Sequence, residues 1–409
     1  LKHGSCVELL IPIWRWLWGN VIINEDTDEL VANPIVNTSP VSDVYEFAMR
    51  DLEFAAKYLP EVSSAAGRVN KYSAFGMLSR VYLTYAGYSS NPNSATRNQD
   101  YLDLAKKAAL KVIENRNFEL MTEYADLFMI DKNNNSETLF ALQWVSNGTY
   151  GECNTIQDYF ACESAITGND RAWGGYVFAQ PDVIWEYEKG DKRRQPTWMG
   201  LWRSLVLKYR KQTEDILVRT KASGTVSGIY CKKYVCGSSK DNAKITSGST
   251  PINTYMLRLA EVYLIYAEAI LGNNPSTDDA DAMEYFNKVR KRAGLEPQNS
   301  ITYEDIRRER RLELCLEGQY WYDLVRRAYY KQQEVLNYIT GQDRGTAIPV
   351  VWDADTQTLK RDEDSDETKR AIGDVDSSYI PSSLSGIGDC AKSFVEKQIL
   401  CLMHLRKTE

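Results

Sequence analysis

Two nearly identical heptapeptides constrain the fold of this chain more than any other feature of the sequence. Residues 80–86 read RVYLTYA and residues 261–267 read EVYLIYA, and each is followed by a turn that contains Gly or Pro. A second segment with Ala, Lys and helical spacing of apolar residues follows each turn. Two copies of one helix hairpin are therefore predicted. They are similar to tetratricopeptide-like hairpins, although the copies lie too far apart for a continuous solenoid.

The second copy belongs to a helical block that we expect over residues 255–340. Apolar side chains recur at helical spacing over residues 255–269, so one amphipathic helix is predicted there. Its buried face is expected to comprise Met256, Leu259, Tyr263, Tyr266 and Ile270. The turn at residues 271–275 should end this helix, and Thr277 is the expected N-cap of a second helix that runs to Arg292.

The end of the second helix and the start of a third are also marked in the sequence. Gly294 is expected to stop the second helix in the left-handed conformation. A third helix, dense in Arg and Glu, is predicted from Thr302 and should end in residues 317–327. Interleaved glutamates cancel its positive charge, and Glu304 and Arg308 have the spacing of a favourable ion pair. We therefore interpret this helix as a structural, salt-bridged element and not as a nucleic-acid-binding one.

Residues 41–132 are expected to form the first helical hairpins. The three predicted helices begin near Val41, Gly67 and Tyr101, and they end at Pro60, Tyr88 and Asn115. Ser39 or Ser42 is the expected cap of the first helix, because a hydroxyl at this place can accept a hydrogen bond from an unpaired backbone N–H.

The sequence between the two hairpin blocks, residues 133–254, has no sustained period and is expected to be a loop-rich region with short strands. A strand is predicted within residues 137–144, and short strands or a hairpin within residues 208–210 and 229–235. Residues 341–409 are expected to be irregular. The predicted fold class is therefore mainly α, with helix hairpins as the scaffold and the loop-rich region as the ligand face.

The charge balance excludes one class of partner. The chain has 49 basic and 56 acidic residues among 409, a formal net charge of −7, so it has no general electrostatic attraction for nucleic acid. Tyrosine is abundant, with 26 Tyr and 10 Trp against 10 Phe. Aromatic rings with polar groups suit half-exposed sites and polar ligands, and they also suit helix interfaces.

The cysteines and histidines argue against a metal site. The eight Cys include no Cys-x-x-Cys pair, and the chain has two His, so neither a metal nor a cofactor is predicted. Cys231 with Cys236, and Cys153 with Cys162, are close enough in sequence to form disulfides in an oxidising compartment. They can equally be buried thiols. No apolar run in the sequence is long enough to span a bilayer.

Several motifs occur in an order that resembles one protein family. The residues that carry the resemblance are 17–21 (LWGNV), 51–53 (DLE), 58–60 (YLP), 67–72 (GRVNKY), 79–83 (SRVYL), 257–269 and 307–326. On these motifs the chain resembles the SusD/RagB family, the surface glycan-binding lipoproteins of Bacteroidetes. Members of that family sit over a TonB-dependent outer-membrane transporter of the SusC type.

The resemblance implies one SusD-like domain over residues 1–409 that binds a glycan without catalysis and delivers it to the transporter. It also implies a location on the extracellular face of the outer membrane, through an N-terminal lipid that this chain does not include. The family's Pro-Ile-Pro strand has no counterpart in residues 394–404. We therefore expect a fragment, or a disturbed reading frame at either end.

A glycan site needs flat aromatic faces for the apolar faces of sugar rings, and amide, carboxylate or guanidinium groups for the hydroxyls. The loop-rich region offers both, and the Gly174-Gly175 pair would let a sugar approach the backbone. The resemblance also points to this region as the binding face. The predicted ligand-binding residues are Tyr150, Asn169, Asp170, Arg171, Trp173, Tyr176, Trp198 and Trp202. Trp185 is interpreted as a packing residue.

Two other functions remain as alternatives. A helical-repeat module could bind a protein partner through the same aromatic loops and have no glycan ligand. A helical glycosidase would need two carboxylates about 5 to 10 Å apart across the scissile bond, for which Asp170 and Glu186 are examples. No nucleophile elbow, phosphate-binding loop or zinc-protease motif is present, so no catalytic residue is predicted.

Overall fold

The structure is a computed structural model that describes residues 21–25, 27–32, 35–90, 94–146, 151–161, 164–167, 177, 179, 183, 186–199, 201–202, 218–219, 230–246, 249–341, 350–353 and 358–361. Most of the regular structure is helical. Among these residues, no helix combines the length and the apolar character needed to cross a bilayer.

The α-helices, in chain order, are α1 Thr27–Ala32, α2 Val41–Tyr58, α3 Lys71–Tyr88, α4 Gln99–Ile113, α5 Ile156–Phe160, α6 Ser164–Thr167, α7 Arg194–Thr197, α8 Leu259–Leu271, α9 Ala280–Arg292, α10 Tyr303–Glu313 and α11 Tyr320–Gly341. Two short 3₁₀ helices, Tyr124–Phe128 and Ile130–Lys132, follow α4. Helix α11 is kinked at Lys331.

The strands are short: β1 Thr138–Leu142, β2 Trp198–Met199, β3 Leu201–Trp202, β4 Val218–Arg219, β5 Tyr230–Cys231, β6 Thr254–Arg258, β7 Ser276–Thr277, β8 Ile301–Thr302, β9 Val350–Asp353 and β10 Thr358–Arg361. They form five described two-stranded sheets. The pairs β1–β6, β2–β5, β7–β8 and β9–β10 are antiparallel, and β3–β4 is parallel.

The two heptapeptides lie on α3 and α8, and the predicted helix hairpins are present. Helix α3 packs against α2 and α4, while α8 packs against α9 and also against α3 and α4. Both central helices are buried on nearly every side, and the charged side chains Arg80, Glu261 and Glu268 are buried with them. A single hydrophobic core extends through α2, α3, α4, α8 and α9 and includes Val325 and Tyr329 of α11. The mainly helical fold class is confirmed.

The prediction of one helix over residues 255–269 is wrong at its beginning. Residues 254–258 form strand β6, which pairs with β1, and the helix starts at Leu259. The apolar positions of this segment fit a strand and a helix equally over so few residues, and pairing with β1 decides the outcome. The strand predicted within residues 137–144 is β1, so that prediction is confirmed.

The Arg- and Glu-rich helix is interrupted where the sequence predicted continuity. Thr302 caps α10 as expected, in a capping box with Asp305, but the helix ends at Glu313. Leu316 and Gly318 then adopt positive φ values of 65° and 75°, which a right-handed helix cannot contain. A separate helix, α11, begins at Tyr320.

Two predicted caps are also wrong. Pro40 occupies the N-cap position of α2 without a side-chain bond, and the Ser39 hydroxyl instead accepts from the Ile23 N–H. The cap of α9 is Asp279, whose carboxylate accepts from two backbone N–H groups, because Thr277 is already part of strand β7. Gly294 has a φ of 78°, so its predicted role as a left-handed stop is confirmed.

Candidate functional site

The loop-rich region, residues 133–254, is built on a second hydrophobic core. This core collects side chains from the 3₁₀ helices, from α5, and from the segments around Trp198 and Tyr234. Phe128 makes edge-on contacts with Tyr234 and Tyr255, with ring centroids 5.2 and 6.0 Å apart. Tyr255 belongs to β6, so the second core is joined directly to the strand that leads into α8. The described part of the region is therefore a packed structure and not a set of independent loops.

Lys233 anchors this region to the helical scaffold. Its Nζ lies 2.7 Å from Glu317 Oε1, donates to the Tyr124 hydroxyl at 2.9 Å, and is fully buried. Burial lowers the pKa of Lys233, and Glu317 opposes that shift. The ammonium also lies 4.4 Å from the centroid of the Phe128 ring, an arrangement that favours a cation. A buried charge with so many partners fixes the position of the chain that carries it.

Arg193 is a second anchor and lies directly before helix α7. Its guanidinium is fully buried and forms two hydrogen bonds with Asp191, at 3.0 and 2.8 Å. It also contacts Glu309 and Glu313 of α10. The Thr197 carbonyl, one turn later, accepts from the backbone N–H groups of Lys232 and Lys233. The two anchors are therefore connected through the backbone.

The scaffold side of these contacts is a buried ion-pair network centred on Arg258. Its guanidinium contacts Glu137, Glu313 at 2.9 Å and Glu317 at 2.7 Å, and the three carboxylates are at most 3% exposed. Burial alone would raise the pKa of Glu313, but Arg292 and Arg258 hold it well below its usual value. The Glu313 carboxylate is thus ionised at neutral pH, and it compensates the buried positive charges of Arg258 and Arg292.

Most of the predicted ligand-binding residues lie outside the described part of the chain. These residues are Tyr150, Asn169, Asp170, Arg171, Trp173 and Tyr176. In the sequence, these six residues lie next to described segments that contribute to the second core or flank it, such as α5, α6 and Val177. Their role in binding remains a prediction.

The other two predicted residues lie on neighbouring short strands. Trp198 belongs to β2, is 7% exposed, and donates from its indole Nε1 to the Tyr187 hydroxyl at 3.2 Å. These contacts favour packing over the ligand contact that the sequence predicted for Trp198. Trp202 lies on β3, which pairs with β4. The structure describes the backbone of Trp202 but not its side chain. An exposed ring is provided by Tyr159 of α5, which is 43% exposed.

Comparison with known proteins decides the family. The model of the SusD family matches residues 84–381. This chain belongs to the SusD family. A SusD-like protein of Bacteroides ovatus is 40% identical over 334 residues, which cover 80% of this chain and 59% of that protein. The chain therefore spans less than two thirds of the length of this SusD-family relative.

Solved SusD-like structures share the fold. A crystal structure with a xylogluco-oligosaccharide matches with a TM-score of 0.76 and 34% identity, over 87% of this chain and 70% of the other. A laminarin-binding SusD-like protein matches with a TM-score of 0.62 at 23% identity, over 83% of this chain and 72% of the other. The second likeness supports the fold alone.

The anchors of this SusD-family region were missed by the sequence reasoning, although a signal for them exists. Arg258 stands between Leu257 and Leu259, and Lys233 stands in the run IYCKKYV. A charged residue inside an apolar strand pattern predicts a buried ion pair, because a buried charge must be compensated. The partners could not be predicted, since Glu137 lies 121 residues from Arg258.

The cysteines that the structure describes in this region are thiols. Cys231 and Cys236 are both buried and do not form the disulfide that their spacing allowed. Burial raises the pKa of the Cys231 thiol well above its ordinary value, so this thiol is not reactive at neutral pH. Cys153 is also a buried thiol, and Cys162 lies outside the described residues.

Proposed function

We propose that this SusD-family chain binds a glycan at the outer surface of a bacterial cell and delivers it to a SusC-type TonB-dependent transporter. The observation that carries the proposal is the 34% identity, over 87% of this chain, to a protein solved with a xylogluco-oligosaccharide. Xyloglucan is therefore the first polysaccharide to test. The family supports the proposed lipid-anchored location on the outer membrane.

The proposed mechanism is reversible binding without bond cleavage. The rings of Trp173, Tyr176 and Trp202 would stack on the apolar faces of sugar residues, and Asn169, Asp170 and Arg171 would bond to hydroxyl groups. Tyr150 would extend the same surface. Hydrogen bonds to charged groups contribute more than neutral ones, so Asp170 and Arg171 would set the orientation of the sugar.

The buried anchors support this proposal in physical terms. Loops that bind a ligand lose less conformational entropy when they are already held in place. Lys233 and Arg193 hold the described flanks of the loop-rich region on α10 and its C-terminal end through fully buried contacts. Anchored flanks of this kind would support a binding surface on the loops between them.

Affinity electrophoresis tests the proposed site. The purified chain and its Trp173→Ala and Trp202→Ala variants are run in gels that contain xyloglucan, laminarin or no polysaccharide. We expect retardation of the unmodified protein by one polysaccharide and loss of retardation in the variants, with unchanged thermal midpoints. Tyr58→Ala is the matched control, because Tyr58 is an exposed aromatic residue, 59% exposed, on helix α2. Unchanged retardation in both tryptophan variants would contradict the site.

A further inference from the structure

A cleft lies between the α2–α3 connection and strand β1, outside the loops proposed above to bind the glycan. It has a volume of about 420 Å³. Its lining residues come from three segments, within residues 61–70, 117–118 and 134–143. A volume of roughly 300 to 1,000 Å³ is usual for ligand pockets, so the cleft has room for a short saccharide segment.

The lining of the cleft is polar but nearly neutral. Its charged residues are Glu61 and Arg68, one of each sign, and the Glu61 carboxylate is bonded to Lys71 at 3.2 Å. Carboxamides and hydroxyls supply the other polar groups, and partly buried rings of Phe118 and Phe140 supply the apolar surface. Paired donors and acceptors beside aromatic rings suit a neutral polyhydroxylated ligand, whereas an anion would require an excess of basic groups.

Hydrogen bonds connect groups of the cleft walls to one another and to neighbouring elements. The carboxamides of Asn134 and Gln143 form two reciprocal hydrogen bonds, at 2.9 and 3.0 Å, and Asn253 donates to Gln143 at 3.0 Å. The Ser73 hydroxyl donates to the Leu139 carbonyl at 2.6 Å, and this hydrogen bond connects helix α3 to strand β1. A preorganised wall loses little entropy when a ligand binds.

One wall requires glycine. Gly67 has a φ of 80°, and a Cβ at this position would lie 2.4 Å from the Gln143 side chain. The glycine lets the backbone of the α2–α3 connection approach the carboxamide pair closely. The GRVNKY motif, which carries part of the family resemblance, therefore forms a wall of the cleft as well as the cap of α3.

Two donors remain for a ligand. Arg68 and Asn117 are exposed at the rim, and no hydrogen bond of the guanidinium or of the Asn117 carboxamide is found within the described part of the chain. We propose that this cleft is a second carbohydrate-binding site, which takes a short neutral segment of the glycan whose binding is proposed above. The inference rests on that proposed function, and it adds a second contact to the same polysaccharide chain.

A second contact has a measurable consequence. Two sites on one protein that bind one polymer increase the apparent affinity for the polymer more than for a short oligosaccharide, because the second binding event is intramolecular. Loss of the cleft should therefore reduce polysaccharide retardation strongly and oligosaccharide affinity less.

The test uses calorimetric titration of the whole chain with a xylogluco-oligosaccharide. Four proteins are compared: the unmodified chain, Trp173→Ala, Trp173→Ala with Arg68→Ala and Asn117→Ala, and Trp173→Ala with Arg116→Ala. Arg116 is an exposed neighbour that does not line the cleft, so its substitution is the matched control. Because Arg68, Arg116 and Asn117 are exposed, thermal midpoints should be equal in the three proteins that carry Trp173→Ala.

We expect weaker residual binding in Trp173→Ala, a further loss of about tenfold or more when both cleft donors are removed, and no further loss with Arg116→Ala. Residual binding that is unaffected by the cleft substitutions, or no residual binding in Trp173→Ala, would overturn the second site and leave the proposed function intact. If the unmodified chain binds neither xylogluco-oligosaccharide nor laminarihexaose, both proposals fail.

Discussion

Arg80 and Glu261 occupy the same first position of the two heptapeptides, and they form a buried ion pair with each other. Arg80 donates to the two Glu261 oxygens at 2.9 and 2.5 Å, and its Nη2 also donates to the Met256 carbonyl at 2.6 Å. The side chains are 7% and 2% exposed. The first position is basic in one heptapeptide and acidic in the other. The ion pair between these two residues joins helix α3 to helix α8.

The first prediction concerns this pair. Arg80→Met should destabilise the protein by about 3 to 5 kcal/mol, because removal of one partner leaves a buried carboxylate without its main compensation. The remaining contact of Glu261 with Arg310, at 3.2 Å, places the expected loss toward the lower end. Chemical denaturation measures the change in the free energy of unfolding.

The control for Arg80 is an exposed pair of the same kind. Lys288 and Glu284 lie 2.6 Å apart on α9 and are 43% and 53% exposed. Lys288→Met should change the free energy of unfolding by about 0.5 kcal/mol or less. Equal losses in Arg80→Met and Lys288→Met would contradict the importance assigned to burial.

The second prediction separates the loop-rich region from the scaffold. Lys233→Met should accelerate proteolysis within residues 133–254 while the hairpins α3–α4 and α8–α9 remain resistant, because Lys233 is a fully buried anchor to Glu317. Glu317 keeps its contacts with Arg258, so the scaffold itself should stay folded. Mass spectrometry of limited digests locates the cleavages. Uniform digestion of the whole chain would show that the anchor is not local.

The third prediction is a pH dependence at Glu268. Burial alone would raise the pKa of this carboxyl, but Arg326 and Arg97 lower it from 4.5 to about 2. A lowered pKa in the folded state stabilises the protein above pH 4.5, and this contribution is lost as pH falls toward 2. The stability difference between the unmodified chain and Glu268→Gln should shrink by on the order of 3 kcal/mol across this range. A constant difference from pH 7 to pH 2.5 would contradict the assignment.

The fourth prediction concerns two glycines with positive φ. Gly294→Ala should cost about 1 to 2 kcal/mol, since an alanine is strained in the left-handed region. Its Cβ would also lie 3.3 Å from atoms of the Lys192 side chain. Gly318 has a similar φ of 75° with open space around its Cβ, so Gly318→Ala reports the backbone cost alone. A smaller loss at Gly294 than at Gly318 would disprove the added contact.

Local chemistry made parts of the fold predictable from the sequence. Thr302 and Gly294 act as predicted, because a capping hydroxyl and a left-handed glycine depend on a few adjacent residues. The repeated heptapeptides predicted the central helices α3 and α8. Each of these signals is contained within one helix or one turn.

Features that depend on distant residues were not predictable in the same way. Residues 254–258 are a strand because β1 pairs with them. The predicted partner of Glu304 is wrong, since Glu304 bonds to Arg307 while Arg308 contacts the distant Glu188. The cleft beside β1 also combines three separated segments. For the candidate site, the aromatic residues of the loop-rich region remain a prediction, and the buried anchors at Lys233 and Arg193 were not predicted from the sequence.

The most direct test of the account is an equilibrium titration of the whole chain with a xylogluco-oligosaccharide, followed by a mass measurement of the recovered sugar. The account predicts saturable binding that Trp173→Ala weakens and Tyr58→Ala does not, with the oligosaccharide recovered intact. Absence of binding to this sugar and to laminarihexaose, or recovery of shortened sugars, would contradict non-catalytic glycan capture.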